Sequence, residues 1–537
     1  MMQFVLQLQA FRAHRGLLPG VILPMVLSCS GSRTHDGPPP IVGPSTVYVS
    51  PDGDDSAAGT ATAPFRTLGH ALEVETAERI VVASGRYVEP EVVIARPVTV
   101  ACPSEAPAIL EGTLVFRGRD ATVARLDVQG GVRLERAEQV SLLGGTISAG
   151  SFTDTIRAQG ARARLEDVVI ACGLETCLSV EGSTLSITRT QIRGEQASKR
   201  GLRVETSSVT LRDVVGSGTN TSLIQAGAGG RLRIVGAQLS GFTGTALMGV
   251  SGARIEAERV TIGEVRQSGV VLSLADARFT GLTIGPVVTA GVGIGVQGSY
   301  VEVRGLDLTS AGQSGVVVNN HRERSAAVTI DGGVIRHGAS LGVNLGQGRL
   351  ALKNLRFEGD PAATQDGEDA ILAAGELAEL EAEALTIDGP AGFGIGIYTN
   401  ALAQVNAVIT RPRIGGINVE DTAGESIRLH GLKVSGCKTG SGVVAQNAVG
   451  IVLEDSEISG CIEAGLLAGD RSRLVVRNSR FLDNRQYGVA AFGGTEIQIS
   501  GSSARGSKWA IFATCADGSG VIDEGGNQFE GPTTMCP

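Results

Sequence analysis

A short phrase returns about every 24 residues along this chain: a small residue followed by two inward aliphatics with one residue between them. Instances are Gly201-Leu-Arg-Val204, Gly269-Val-Val-Leu272, Gly315-Val-Val-Val318, Gly394-Ile-Gly-Ile397 and Gly465-Leu-Leu-Ala468. The small anchors run Thr155, Cys177, Gly201, Ser222, Thr245, Gly269, Gly293, Gly315, Gly342, Ala370, Gly394, Gly416, Gly442, Gly465, Gly488 and Ala510, in steps of 21 to 28 residues. A period of that length marks a stack of like units, each too small to bury its own apolar face. A second phrase lies between anchors, as in Leu453-Glu-Asp-Ser-Glu-Ile458. Apolar and polar residues alternate in it, which means strands with one face in and one face out.

The bend inside the second phrase is chosen for its backbone. Its series is Asp167, Arg189, Asp213, Gly236, Arg259, Gly281, Gly305, Gly332, Asn354, Ala384, Gly431, Asp455, Asn478 and Gly501, and 11 of the 14 are Gly, Asn or Asp. Those types tolerate a left-handed conformation. Each repeat therefore reads as three short strands separated by tight corners. A leucine-rich repeat has a similar period, but its fixed Leu and Asn pattern is missing. The period-two alternation and the 76 glycines argue against helical repeats.

On these phrases the chain resembles the pectin-lyase-like right-handed parallel β-helix families, over roughly residues 46–530. The resemblance implies an all-β solenoid of about 20 coils, with parallel strands stacked about 4.8 Å apart. It says little about activity, because that fold hosts lyases, hydrolases, epimerases, adhesins and inert spikes. An end cap is expected, since a stack of coils exposes strand edges. Pro64 to Leu72 reads as a short capping helix, with Phe65, Leu68 and Leu72 on one face. The acidic loop before it, Asp52, Asp54 and Asp55, reads as a turn capped by its own Asp side chains, with calcium as the alternative.

The N-terminus reads as a targeting segment. Arg12 and Arg15 precede an apolar core, Leu17 to Leu27, which ends in Val26-Leu-Ser-Cys29. Cys29 after a small residue resembles a bacterial lipoprotein signal, which implies lipidation of Cys29. The same likeness, with Ser30 next, implies the outer membrane or cell surface of a bacterial envelope. The domain reading is a signal peptide over 1–28, a flexible tether over 29–45, a cap with first coils over 46–111, the β-helix over 112–514 and a C-terminal cap over 515–537. Three cysteine pairs are candidate disulfides: Cys437 with Cys461, Cys515 with Cys536, and Cys172 with Cys177. The alternative for each is buried free thiols; Cys102 has no partner.

The net charge of −9 argues against a nucleic-acid partner, which needs a basic stripe. The outward anchor-strand positions from Leu247 onward read Leu247, Val271, Gly295, Val317, Asn344, Leu372, Gly396, Asn418, Val444, Leu467, Ala490 and Phe512. None is charged, so that row by itself supports no acid–base catalysis. Charge concentrates instead where two corners lengthen, near 319–324 and 359–369. Stacking Ile335 on Phe357 makes His337, Glu358, Asp360, Asp366, Glu368, Asp369 and Asp388 a candidate ligand-binding corner. Asp360, Asp366 and Asp369 form a weak candidate calcium set; no other cofactor is expected. His70, His321 and His430 read as single surface histidines. At 4% aromatic residues, the chain lacks the usual sugar-stacking platform.

The leading functional expectation is a non-catalytic envelope lipoprotein, a rigid β-helical rod whose loops meet a polysaccharide or an envelope protein. The alternatives are a polysaccharide lyase or glycoside hydrolase with a site near residues 320–390, and a purely structural spike.

Overall fold

The structure is a computed structural model, and it describes residues 45–536 apart from 150–153, 195–197, 220, 289–290, 311, 361–365 and 424–426. The signal segment and Cys29 lie outside the described residues. The chain winds into an all-parallel β-solenoid of the right-handed type, with about 19 turns and 63% strand. Pairing runs from Thr46–Val49 on Arg79–Val82 to Ser503–Arg505 on Gln528–Phe529.

The anchors are small because the next coil leaves them no room. A Cβ on Gly293 would stand 2.5 Å from the Gly315 carbonyl oxygen, and one on Gly315 would stand 2.5 Å from that of Gly342. Gly416 meets Gly442, and Gly488 meets Ala510, at the same 2.5 Å. The aliphatic that follows each anchor points inward. Ile395, Ile417, Val443, Leu466, Val489 and Ile511 stack in register, and all six are fully buried. Each contributes about 1.5–3 kcal/mol of apolar burial. Phe116, Phe279, Phe357 and Phe481 fill wider parts of the same core.

All 14 bend residues adopt the left-handed conformation, with φ from +47° to +73°. Arg189, Arg259 and Ala384 do so without being Gly, Asn or Asp. One consequence departs from three separate strands per coil. In Asp276–Val287 and Gly348–Gly359 the strand runs straight through its bend at Gly281 or Asn354, because the neighbouring coils bend at the same place. Corner polarity is satisfied from coil to coil. The backbone N–H of Ser456 donates to Ser479 Oγ, that of Ser479 to Ser502 Oγ, and that of Ser502 to Asn527 Oδ1.

Two anchors sit one residue later than the sequence phrase suggests. The register places Leu223 and Ala246 opposite Gly201 and Gly269, rather than Ser222 and Thr245. Leu247 therefore points inward, fully buried, and Met248 takes its outward place beside Val271. A small polar residue before the anchor imitated the anchor itself.

At the N-terminal end a six-residue helix, Leu68–Glu73, buries Leu68 and Ala71. Phe65 precedes the helix and enters the core from a segment bridged to Val49. Glu89 accepts hydrogen bonds from the backbone N–H groups of Leu68 and Gly69, at 2.7 and 2.8 Å. The acidic loop is built as a turn: Asp55 Oδ1 accepts from the N–H groups of Arg66 and Thr67, and Asp54 from that of Ser56. Disulfides join Cys172 to Cys177, Cys437 to Cys461 and Cys515 to Cys536, with Cα atoms 4.5, 4.3 and 5.3 Å apart; Cys102 is a buried free thiol. Among the described residues, no helix is long and apolar enough to cross a membrane.

Candidate functional site

The lengthened corner does not gather its seven residues. Ile335 pairs with Phe357 and Arg336 with Glu358, but a bulge then skips His337 and pairs Gly338 with Gly359. His337 turns into the core instead, fully buried, with Nδ1 2.7 Å from the Ser340 carbonyl oxygen and Nε2 unpartnered. Burial lowers its pKa, which holds the ring neutral. Glu358 lies 3.2 Å from Arg336 and 3.0 Å from Arg356, Asp366 2.8 Å from Arg413, and Asp388 between Thr410 and Arg411. The Arg411 guanidinium holds the Asp388 carboxyl below the usual range. Glu368 and Asp360 are exposed. Asp360, Asp366 and Asp369 therefore do not converge, and among the described residues no group of three or more His, Cys, Asp or Glu is placed to hold a metal ion. Glu358 and Asp388 meet counter-charges on the adjacent coil and Asp366 meets Arg413 two coils on, contacts that parallel stacking brings within reach.

Asp369 stands apart from this set. Its Oδ1 accepts the Phe393 N–H at 2.8 Å, and its Oδ2 lies 3.4 Å from the Tyr398 hydroxyl. Tyr398 in turn accepts from Asn418 Nδ2 at 3.1 Å. Burial pushes the Asp369 carboxyl up to about 6 and the Tyr398 phenol up to about 12. Gly396 makes room for this: a Cβ there would lie 2.3 Å from Asp369 Oδ2 and 2.4 Å from Tyr398 Cε2. Asn418 is 8% exposed and its Oδ1 has no partner. The outward face is thus not free of ionisable groups. Its central row is uncharged, as the sequence reads, but flanking positions two to four residues away carry Asp369, Tyr398, Glu420 and Glu463.

The same row read toward the N-terminus becomes basic. Arg133, Arg157 and Arg203 occupy the outward position in earlier coils, with Ser179 between the last two. They border a groove of about 480 Å³ that also includes Arg200, Asp154 and Glu175. Starting the row at Leu247 hid these residues; following the register back from Gly201 finds them.

Aromatic residues are scarce, and four of them gather near the C-terminal end. Tyr487, Phe492, Trp509 and Phe512 form one cluster, with ring centroids 5.2 to 6.1 Å apart. Ala490, outward in the same stretch, is fully buried. The single histidines are local: His70 lies 3.3 Å from Glu73, His430 lies 3.4 Å from Asp455, and His321 Nδ1 accepts from the Glu323 N–H.

Comparison with known proteins agrees with this architecture. Residues 369–531 match the family model described as the right handed beta helix region. No curated protein sequence matches the chain. Among solved structures, a rhamnogalacturonan lyase is similar at 13% identity and a TM-score of 0.30, covering 52% of this chain and 86% of its own. The mannuronan C-5 epimerase A-module of Azotobacter vinelandii is similar at 11% identity and 0.37, covering 66% and 94%. A tailspike of Escherichia coli bacteriophage HK620 is similar at 10% identity and 0.27, covering 84% and 75%. Likenesses at these scores carry no argument about activity.

Proposed function

We propose that the protein is a non-catalytic lipoprotein of the bacterial cell envelope, outer-membrane or surface-exposed, whose β-helix presents its lateral face to a polysaccharide or an envelope protein. One observation carries the non-catalytic part. The carboxylates of the long corner, Glu358, Asp366 and Asp388, are held in ion pairs with Arg336, Arg413 and Arg411 across coils. A carboxylate held in this way is a poor general base. The anchor and address rest on the Val26-Leu-Ser-Cys29 segment. The test is binding of the purified protein to a panel of bacterial and plant polysaccharides, with and without calcium, followed by analysis of the bound glycan. Binding without change to the glycan fits this reading. Unsaturated or hydrolysed products would refute it, and absence of binding to every glycan would shift the reading to a protein partner or a structural spike. Changing Cys29 to Ser should move the protein from the membrane fraction to the soluble one; an unchanged fraction refutes the anchor.

Asp369 favours a second reading, a polysaccharide-active enzyme. A carboxyl titrating near 6 beside a tyrosine suits general acid–base work. Product formation abolished by D369N would select it.

A further inference from the structure

Arg133 and Arg157 lie directly opposite each other on adjacent coils. Like charges stacked in this way, about 5 Å apart, destabilise a sheet. Elsewhere on this solenoid an arginine commonly meets a carboxylate on the next coil, as Arg117 meets Glu135, Arg278 meets Glu302 and Arg480 meets Glu457. Arg133 and Arg157 close no ion pair with any described residue. A second in-register pair, Arg231 and Arg254, is followed in its row by Asp276. The row of Arg133 runs Val115, Arg133, Arg157, Ser179, Arg203 and Gln225, with no carboxylate in it.

The surroundings form a recess rather than an open patch. Arg200 and Arg203 line the groove and are braced, Arg200 Nε donating to Gln225 Oε1 at 2.8 Å and Arg203 pairing with Glu205 at 2.6 Å. Half-buried Asp154 stands near Arg157 and Arg203. Two unpaired guanidinium groups in a recess walled by two fixed ones suit planar oxyanions, which guanidinium binds through paired N–H donors. Asp154 and Glu175 break the positive field on the rim, which disfavours a continuous polyphosphate such as a nucleic acid.

We infer that this groove binds a ligand carrying two neighbouring oxyanions about one coil spacing apart, one held by Arg133 and the other by Arg157. The inference rests on reading the solenoid as a binding surface and places its ligand chemistry away from residues 320–390. Titration calorimetry on the full chain at low salt tests it, with citrate, inorganic pyrophosphate and digalacturonate as separate probes. Wild type should bind at least one probe about tenfold or more tightly than R133Q/R157Q, consistent with loss of charge-assisted hydrogen bonds. R133K/R157K should retain part of that affinity, and added salt should weaken binding. The probe that binds separates a carboxylate source from a phosphate source. Without ligand, R133Q should melt no lower than wild type at low salt, because it removes the repulsion while leaving Arg157 beside Asp154. No binding at millimolar probe, equal binding by R133Q/R157Q, or a lower melting temperature of R133Q would overturn the inference. If the polysaccharide panel binds wild type and R133Q/R157Q alike, this site fails while the binding-surface reading stands. Arg-dependent anion binding without any polysaccharide binding would support this site and count against a polysaccharide partner.

Discussion

Asp369 shows how one side chain can be held against its own preference. Its carboxyl titrates near 6 in the fold because burial outweighs the hydrogen bonds from Phe393 and Tyr398. An unfolded aspartate titrates near 3.9. The folded protein therefore holds this proton more tightly than the unfolded chain does. Stability from the protonated form is fully present below about pH 4 and is lost as pH rises through about 6. D369N should match wild type near pH 4 and exceed it at pH 7.5 by about 1–3 kcal/mol, since an amide fits the same contacts without a charge. Urea denaturation at the two pH values measures this, and equal stability at pH 7.5 would show that the carboxylate is well solvated. Asp369 was legible in the sequence as one acid in an acidic loop. Its environment was not, because Tyr398 reaches it from the next coil and Asn418 holds Tyr398 from the coil after.

At the scale of a single coil, the bend and the corner ladder set the strand geometry. Ala384 occupies a left-handed bend at φ +52°, where the stacked positions hold Asn354 before it. The left-handed conformation costs an L-residue about 1–2 kcal/mol, partly offset by the entropy a glycine would lose. Ala384→Gly should therefore raise stability by about 0.5–1 kcal/mol, read as a shift in the thermal midpoint. The ladder predicts the reverse sign. Ser479 Oγ accepts from the Ser456 N–H and donates to the Arg477 carbonyl oxygen. Ser479→Ala leaves a buried N–H unpaired and should destabilise by about 1–3 kcal/mol. Ser479→Asn should recover most of that loss, because Asn527 fills the same role in a later coil. If the alanine variant is as stable as wild type, another acceptor has replaced the hydroxyl. The bend series was readable from the Gly, Asn and Asp at 11 of its 14 positions, and the ladder was not. Serine is common in loops, and only stacking shows that each hydroxyl serves the neighbouring coil's backbone.

For the solenoid as a whole, the ends matter most, since an open coil is a template for further pairing. Pairing continues past residue 514 through Gly520–Asp523 and Gln528–Phe529, and Thr533 bridges to Ile511. The Cys515–Cys536 disulfide closes this last stretch. A loop of that length is worth about 3 kcal/mol in the chain-entropy account. Cys536→Ser should therefore accelerate amide exchange over 515–536 while leaving the coils before about residue 490 protected, by exchange mass spectrometry. Uniform loss of protection along the chain would mean that the end controls global stability. The cysteines themselves were readable, because a step of one coil brings paired positions together. The extent of the last coil was not, because its strands are short and polar.

The sequence by itself determined the repeat, the left-handed bends at Gly, Asn and Asp, and the inward rows and small anchors outside the two coils at Leu223 and Ala246. Each is a local requirement repeated in every coil, so the pattern survives without a partner structure. The tertiary structure decided which outward residues meet. That depends on register: the bulge at His337 shifts the pairing that follows it, and the row through Ser222 sits one residue off the position its phrase implies. The candidate acidic corner dissolved into ion pairs for that reason. The same stacking set Arg133 over Arg157 and placed Asp369 beside Tyr398, because neighbours one coil away are about 24 residues apart in the chain but only about 5 Å apart in space.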